Sequence, residues 1–455
     1  MGNYDVIIVG AGPAGIFAAW RLAELSYKNV LLIDKGPSIE DRINLSVKDG
    51  VIPEGFGGAG GFSDGKLIFS SEIGGSLSEF VGEQKLDEYI KKSFNIWNDF
   101  GFKYPNIEKF LSIDAQDIID NANKNDIDIV TYDIIHVGSD NLPYLLKDVE
   151  NNIGNNTSLL MNTNVVNIET NDDGFIVDCG NEQFSSKYLI VAPGRGGSSW
   201  VNSQLSKIGI FSLQNNVDIG VRVELPYHAV SHLTDRLYEF KIRYITPTYK
   251  DKVRTFCVCP GGVVVKEKNS DYTLVNGFSN ARLKTDNTNF ALLSSVKLGP
   301  PISLPLEFSQ NIAKTANILS GGVMVQRFGD LLNNRRSTNL SLSRNSVVPT
   351  LKDAVPGNLA LAYPYRFLLN IIEGLNGISK IAEGVIDDDV LLYAPEIKMY
   401  SSRIPVDENM MSSHNGLYIC GDGAGTTRGI VQASVSGLIA ADNILVKEGE
   451  YPDEF

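Results

Sequence analysis

The stretch "DVIIVGAGPAGIFAAWRLAELS", residues 5–26, decides the architecture. Its β-branched run at 6–9 reads as a strand buried on both faces. Gly10, Gly12 and Gly15 follow at Gly-x-Gly-x-x-Gly spacing, ahead of a helical stretch. Each glycine has its own task. Gly10 permits a tight turn, Gly12 lets a pyrophosphate approach the backbone, and Gly15 lets helix pack on strand, while the helix start offers unpaired N–H groups to phosphate. A second strand, "NVLLID", ends at Asp34, about twenty residues past the last glycine, where a carboxylate holds a ribose hydroxyl. Strand, helix, strand and terminal acid in this order predict a dinucleotide site.

The chain has 455 residues and a formal net charge of -14, which predicts more than one hydrophobic core. Its 40 basic residues form no block, so neither a nucleic acid nor an anionic membrane surface is an expected partner. Four scattered cysteines, Cys179, Cys257, Cys259 and Cys420, are too few for a disulfide framework and point to a reducing cytoplasm. The apolar start lacks a basic n-region and is broken by glycine and proline, so it reads as neither signal peptide nor membrane span.

The far end of the chain selects among dinucleotides. In "NGLYICGDGAGTTRGIVQASVSGLIAADNIL" (415–445) a strand runs into Gly421-Asp422-Gly423 and then into a small-residue helix. This resembles the second signature of FAD proteins of the glutathione-reductase-like superfamily. The resemblance implies that Asp422 holds the ribityl chain and that Gly429, Ile430 and Val431 face the flavin. "SSKYLIVAPGRGG" (185–197) looks like the strand and turn, through Ala192 and Gly194, that return to the FAD site. The preceding "LLMNTNVVNIETNDDGFIVDCG" reads as a hairpin whose Val165 matches the position beside the adenine.

Within this frame "GFGGAGGFSDGKL" (55–67) takes the place of a glycine-rich loop over pyrophosphate and flavin edge, its backbone N–H groups serving as donors. The cofactor contacts expected are Gly10, Gly12, Pro13, Ala14 and Gly15; Asp34 and Lys35; Gly60, Gly61, Ser63, Gly65 and Lys66; Val165; Ala192 and Gly194; and Gly421, Asp422, Gly429, Ile430 and Val431. Ser63 and Lys66 are the catalytic candidates, with the Lys66 ammonium at the flavin edge, or paired instead with Asp64 or the FAD phosphates. No metal site is expected.

The ordered motifs "GGAGGFSDGKL", "HVGSDNL" (136–142), "APGRGGSSW", "FCVCPGGVVV" (256–265), "VNGFSNAR" (275–282) and "CGDGAGTTRGIVQAS" are similar to those of a bacterial and archaeal family of uncharacterised FAD-dependent dehydrogenases. Val258 stands where that family usually has methionine, and "MYSSRIP" (399–405) replaces its Arg-Thr-Ser-Ser-Pro run. The resemblance implies the fold and FAD, and leaves the substrate open. No cysteine precedes Cys179, which excludes the redox pair of the superfamily's disulfide reductases. No second glycine fingerprint serves NAD, so any NAD(P)H binds transiently, and the hydroxylase signatures are replaced. Cys257 and Cys259 point to one face of a strand as a redox pair, metal ligands or flavin neighbours, or else as buried inert thiols. Arg195, Arg282 and Arg428 are carboxylate anchors or surface ion pairs.

The predicted fold is α/β: a Rossmann-type, three-layer FAD domain from residues 1–85, 140–205 and 380–455, a helical insert or lid at 86–139, and an inserted, mainly antiparallel β substrate domain at 206–379. The expected activity is hydride transfer between flavin N5 and a small or medium organic substrate, dehydrogenating it or reducing an activated double bond. The alternative is a flavin-binding scaffold that turns nothing over.

Overall fold

A computed structural model describes residues 2–25, 27, 29–48, 54–63, 65–101, 108–110, 115–130, 132–137, 141–213, 217–237, 239–268, 271–278, 284–296, 305–399 and 403–450. Asp64, Arg282 and parts of the motifs at 136–142, 275–282 and 399–405 lie outside them. The chain divides into two compact units, Met1–Lys109, Tyr132–Asn215 and Ser401–Phe455 forming the first, and Phe110–Thr131 and Asn216–Tyr400 the second.

In the first unit, Gly2–Val9 lies between Val30–Ile33 and Gln183–Val191, with Thr157–Leu160 and Leu417–Ile419 as the outer parallel strands. The hairpin of Asn167–Asn171 and Gly174–Asp178 pairs antiparallel onto the start of Gln183–Val191. Alternate residues point to opposite faces. Val6, Ile8, Leu32 and Ile190 enter one apolar cluster with Pro13–Glu24 and Ile430–Glu448. Ile7, Val9, Leu31, Ile33, Leu189 and Val191 enter another with Phe175, Val177 and, from Ser198–Lys207, Val201 and Leu205. Burial on both faces explains the unbroken β-branched runs, and the three layers of the expected Rossmann-type domain are present.

The layers touch where side chains are smallest. A Cβ on Gly15 would lie 1.9 Å from the Gly10 carbonyl oxygen, and one on Gly437 would lie 1.9 Å from that of Ala14, so only glycine permits either approach. The Ile430–Glu448 helix is apolar and long enough to cross a membrane, but 83% of that stretch is buried inside the protein, which is the signature of a core helix.

Glu83–Gly101 falls in the segment expected as an insert or lid, and packs instead in the first unit's core. Leu86, Tyr89, Ile90 and Trp97 join the cluster around Pro13–Glu24. The buried Asp442 carboxylate accepts from Tyr89 Oη at 2.9 Å, Lys92 Nζ at 2.8 Å and Arg21 Nε at 2.6 Å. Removing one partner of such a buried network costs about 3–5 kcal/mol, because a charge is left unpaired. The amphipathic pattern that suggested a mobile cover is the same pattern that seats a core helix.

The second unit is built on an eight-stranded sheet, antiparallel except where Met324–Arg327 meets Val355–Pro356. Val217–Pro226 lies between Asn287–Ser295 and Leu391–Met399. Its Ile219, Val221 and Val223 face an apolar core with Phe367, Ile371 and Leu375 of Tyr365–Ile378, while Asp218, Arg222 and Glu224 take the opposite face. The mainly antiparallel second component matches the expected class.

Candidate cofactor site

The carboxyl ends of the parallel strands carry the predicted residues, which is where open α/β sheets bind ligands. Gly10 follows Gly2–Val9, and its N–H donates to Ile33 O at 2.7 Å. Asp34 follows Val30–Ile33. Ala192 follows Gln183–Val191 and donates to Val9 O at 2.7 Å, and Cys420 donates to Val191 O at 3.0 Å just before Gly421. The backbone at Gly10 has φ +107°, and a Cβ there would meet Ala192 O at 2.1 Å. This turn therefore requires glycine for both conformation and space.

Three other site glycines face open space. A Cβ on Gly12, Gly194 or Gly429 would meet no protein atom within 4 Å. Gly12 caps Pro13–Glu24 and Gly429 caps Ile430–Glu448, in each case with no side-chain cap and no acidic residue in the first turn. Both helix starts keep N–H groups for an outside acceptor. Both also reach Gly60, whose Cβ position lies 3.0 Å from Ile430 Cγ1 and 3.6 Å from Pro13 Cγ. Ile430 and Val431 are buried at that helix start, and Val165 is buried beside Ile7 and Ile33. The residues present fit a dinucleotide: an anion-seeking backbone lined by glycine, with room where side chains would stand.

Asp34 has work that spacing alone does not disclose. Its Oδ2 accepts from Ala11 N–H at 2.8 Å, and its Oδ1 from Gly36 N–H at 2.8 Å and Gly55 N–H at 2.9 Å. The carboxylate thus ties the first turn to the start of the glycine-rich loop. Lys35 turns outward to Glu54, 3.0 Å away, and holds that carboxyl below its ordinary range.

Arg42 was not anticipated. It is 1% exposed, and its Nη1 donates to Phe56 O at 2.6 Å and Gly58 O at 3.0 Å, with its guanidinium 4.4 Å from the Phe62 ring centre. Burial pulls its pKa down to about 10, against the pull of Asp34 and Glu54, so it stays charged at neutral pH. The cation turns loop carbonyls inward, while the loop N–H groups of Phe56, Gly57 and Gly58 donate to Pro37 O, Ala11 O and Gly55 O. Ser63 also closes the loop, its Oγ donating to Gly60 O at 2.7 Å and accepting from Gly65 N–H at 3.3 Å. Lys66, half-buried, opens the strand Lys66–Phe69, opposite His136 of Asp133–His136.

Asp422 lies 3.7 Å from Arg195 Nε, and accepts from Thr427 Oγ1 at 3.0 Å. Its side chain is 19% exposed while Arg195 is 75% exposed. Burial raises the Asp422 pKa, against the lowering effects of Arg195 and Thr427. Gln432 was also missed: its Nε2 donates to Ile73 O at 2.8 Å and Ser70 O at 3.2 Å, fixing the segment after Lys66 on the last helix.

Comparison with known proteins agrees with this geometry. Residues 4–209 match the family model described as pyridine nucleotide-disulphide oxidoreductase, and residues 216–399 match "FAD-dependent protein, C-terminal domain-like". The chain is thus similar, over these two segments, to families of pyridine-nucleotide and FAD-dependent oxidoreductases. FAD is its cofactor. The segment matching the first model contains only Cys179, so it holds no cysteine pair. An uncharacterised protein of Clostridium beijerinckii is 28% identical, over 97% of this chain and 80% of that one. Among solved structures, a putative FAD-containing monooxygenase from Photorhabdus luminescens is 10% identical with TM-score 0.41 (99% and 90% of the two chains), and glycine oxidase from Bacillus cereus 11% with TM-score 0.36 (99% and 96%). Likenesses this slight carry no inference about activity.

Proposed function

We propose that this FAD-dependent oxidoreductase transfers a hydride between flavin N5 and a small or medium organic substrate, dehydrogenating it or reducing an activated double bond. The observation that carries the reading is the meeting of two uncapped helix starts and the Arg42-braced glycine loop at Gly60. FAD would supply a two-electron acceptor and donor. The chain's own residues do the rest. N–H groups at Gly12, Ala14 and Gly15 would hold the pyrophosphate, the Asp422 carboxylate would accept from a ribityl hydroxyl, and Gly429 to Val431 would present the second helix start to the ring. Ser63 keeps the loop closed. The Lys66 ammonium, if at the ring edge, would favour negative charge there.

A small-molecule substrate and a transient electron partner, NAD(P)H or another carrier, complete the cycle. The test is anaerobic photoreduction of the purified holoprotein, followed by oxygen or a panel of quinone, enone and nicotinamide acceptors. Reoxidation by one acceptor much faster than by buffer alone is the expected result. A flavin that cannot be reduced, or that no acceptor reoxidises, would leave the protein a flavin-holding scaffold.

A further inference from the structure

Cys257 and Cys259 lie in the second unit. Their strand, Lys252–Cys259, pairs with Asn287–Ser295, and the register slips: Phe256 stands opposite Ala291 and Cys259 opposite Asn289. Cys257 and Val258 together therefore face the single residue Phe290, which is a β-bulge. Cys257 has φ +49°, the left-handed backbone that a bulge ordinarily assigns to glycine. A side chain held in that conformation is a mark of use, since glycine would sit there without strain.

The bulge brings both cysteines to one guanidinium. Arg222 is fully buried, and its Nη2 donates to Cys257 O at 2.7 Å and to Cys259 Sγ at 3.3 Å. Asn289 Oδ1 fixes its Nε at 2.8 Å, and a Cβ on Gly277 would fall 1.6 Å from Nη2, so the facing hairpin strand lies against the cation. Nη1 has no hydrogen-bond partner among the described residues, and Glu396 Oε2 is 4.0 Å away. Burial alone would lower the Arg222 pKa; Glu396, Cys257 and Cys259 raise it above its ordinary value. The cation thus touches the Cys257 carbonyl and the Cys259 sulfur at once. Cys259 is 4% exposed, whereas Cys257 is half-buried.

We propose that Cys257 and Cys259 form a reversible dithiol–disulfide couple that exchanges with low-molecular-weight disulfides, Cys257 attacking and Cys259 resolving. The Cys257 thiolate attacks one sulfur of the small disulfide, a mixed disulfide forms, and one small thiolate leaves. Cys259, its proton passed to solvent, attacks the Cys257 sulfur, and the second small thiolate leaves. The dithiol loses two electrons and two protons, and the small disulfide becomes two thiols. Two residues of extended strand advance about 6.6–6.8 Å, at the upper end of the roughly 4.4–6.8 Å that a disulfide spans between Cα atoms; the bend at Cys257 relieves this limit. The remaining cysteines are internal references. Burial pushes the Cys179 thiol up to about 11 and raises that of Cys420, whose Sγ lies 3.4 Å from Ser436 O.

The experiment uses the full FAD-loaded chain, reduced, freed of reductant and equilibrated with graded ratios of oxidised and reduced glutathione. Intact mass and peptide mapping then read the thiols. The expected product is lighter by two hydrogen atoms, carries an intrachain 257–259 link, and reverts in reduced glutathione. Cys259→Ser should instead accumulate one glutathione adduct on Cys257, and Cys257→Ser should form no link. At neutral pH, iodoacetamide should label Cys257 at least about tenfold faster than Cys179. Both thiols surviving excess oxidised glutathione, links only between chains, an unmodified Cys259→Ser protein, or equal labelling rates would each overturn the proposal.

Discussion

Gly10 and Gly12 stand two residues apart in one turn, yet substitution by alanine should affect different properties. At Gly10 the methyl would lie 2.1 Å from a backbone oxygen at φ +107°. Neither strain nor overlap can be relieved without parting the Gly2–Val9 and Gln183–Val191 strand ends, at a cost of about 3 kcal/mol or more. At Gly12 the methyl meets no protein atom within 4 Å, and φ is -79°. Reduced freedom of the unfolded chain favours Gly12→Ala by about 0.4–1 kcal/mol, and alanine's poorer N-capping offsets this by a similar amount. FAD-free Gly12→Ala should therefore match the wild type within about 1 kcal/mol, while FAD, whose pyrophosphate needs that space, should bind about a hundredfold more weakly. Ligand at a hundred times its wild-type Kd stabilises by about 2.7 kcal/mol, and most of that increment should vanish in the variant. Denaturant unfolding with and without FAD, together with FAD fluorescence titration, measures both quantities. Wild-type FAD affinity in Gly12→Ala, or an apoprotein loss equal to that of Gly10→Ala, would refute the reasoning.

Four further predictions follow from the same site. Burial raises the folded-state pKa of Asp422, so its contribution to stability is full below the unfolded pKa and is lost as pH rises through the folded one. FAD-free Asp422→Asn should accordingly melt no lower than wild type at pH 7, any gap closing toward about pH 4, while its FAD affinity falls at least about tenfold; a lower melting point at pH 7 would contradict the sign. Asp34→Asn places an amide before three backbone N–H donors, so the apoprotein should lose about 2–4 kcal/mol, and an unchanged denaturation midpoint would remove Asp34 from its structural role. Arg42→Met deprives the Phe56 and Gly58 carbonyls of their donor and should cost about 2–4 kcal/mol after the saved desolvation is counted; unaltered stability and FAD affinity together would show that the loop does not need the cation. Lys66→Met should lower the flavin midpoint potential and slow reduction at full FAD content, and a potential equal to wild type would exclude the electrostatic role.

The features legible in the sequence are those whose physical cause is local. A strand buried on both faces must be apolar at consecutive positions, a backbone approached by phosphate or by another backbone must be glycine, and a helix that receives an anion keeps acids out of its first turn; residues 6–15 and 417–431 satisfy all three conditions within themselves. Arg42 and Gln432 are different. Their acceptors are carbonyls at Phe56 and Gly58 in one case and at Ser70 and Ile73 in the other, and a carbonyl has the same sequence signature at every residue. Asp34 shows the intermediate case, since its place at a strand end and its Gly36 donor are local while its donors on Ala11 and Gly55 lie 23 and 21 residues away. The Glu83–Gly101 helix marks the same boundary from the side of packing: its apolar stripe demands a cover, and only the long-range meeting of Tyr89 and Lys92 with Asp442 settles that the cover is the core of its own unit. Residues that contribute their backbone to the site are therefore readable from spacing, while the polar side chains that aim that backbone become visible only when the chain is folded.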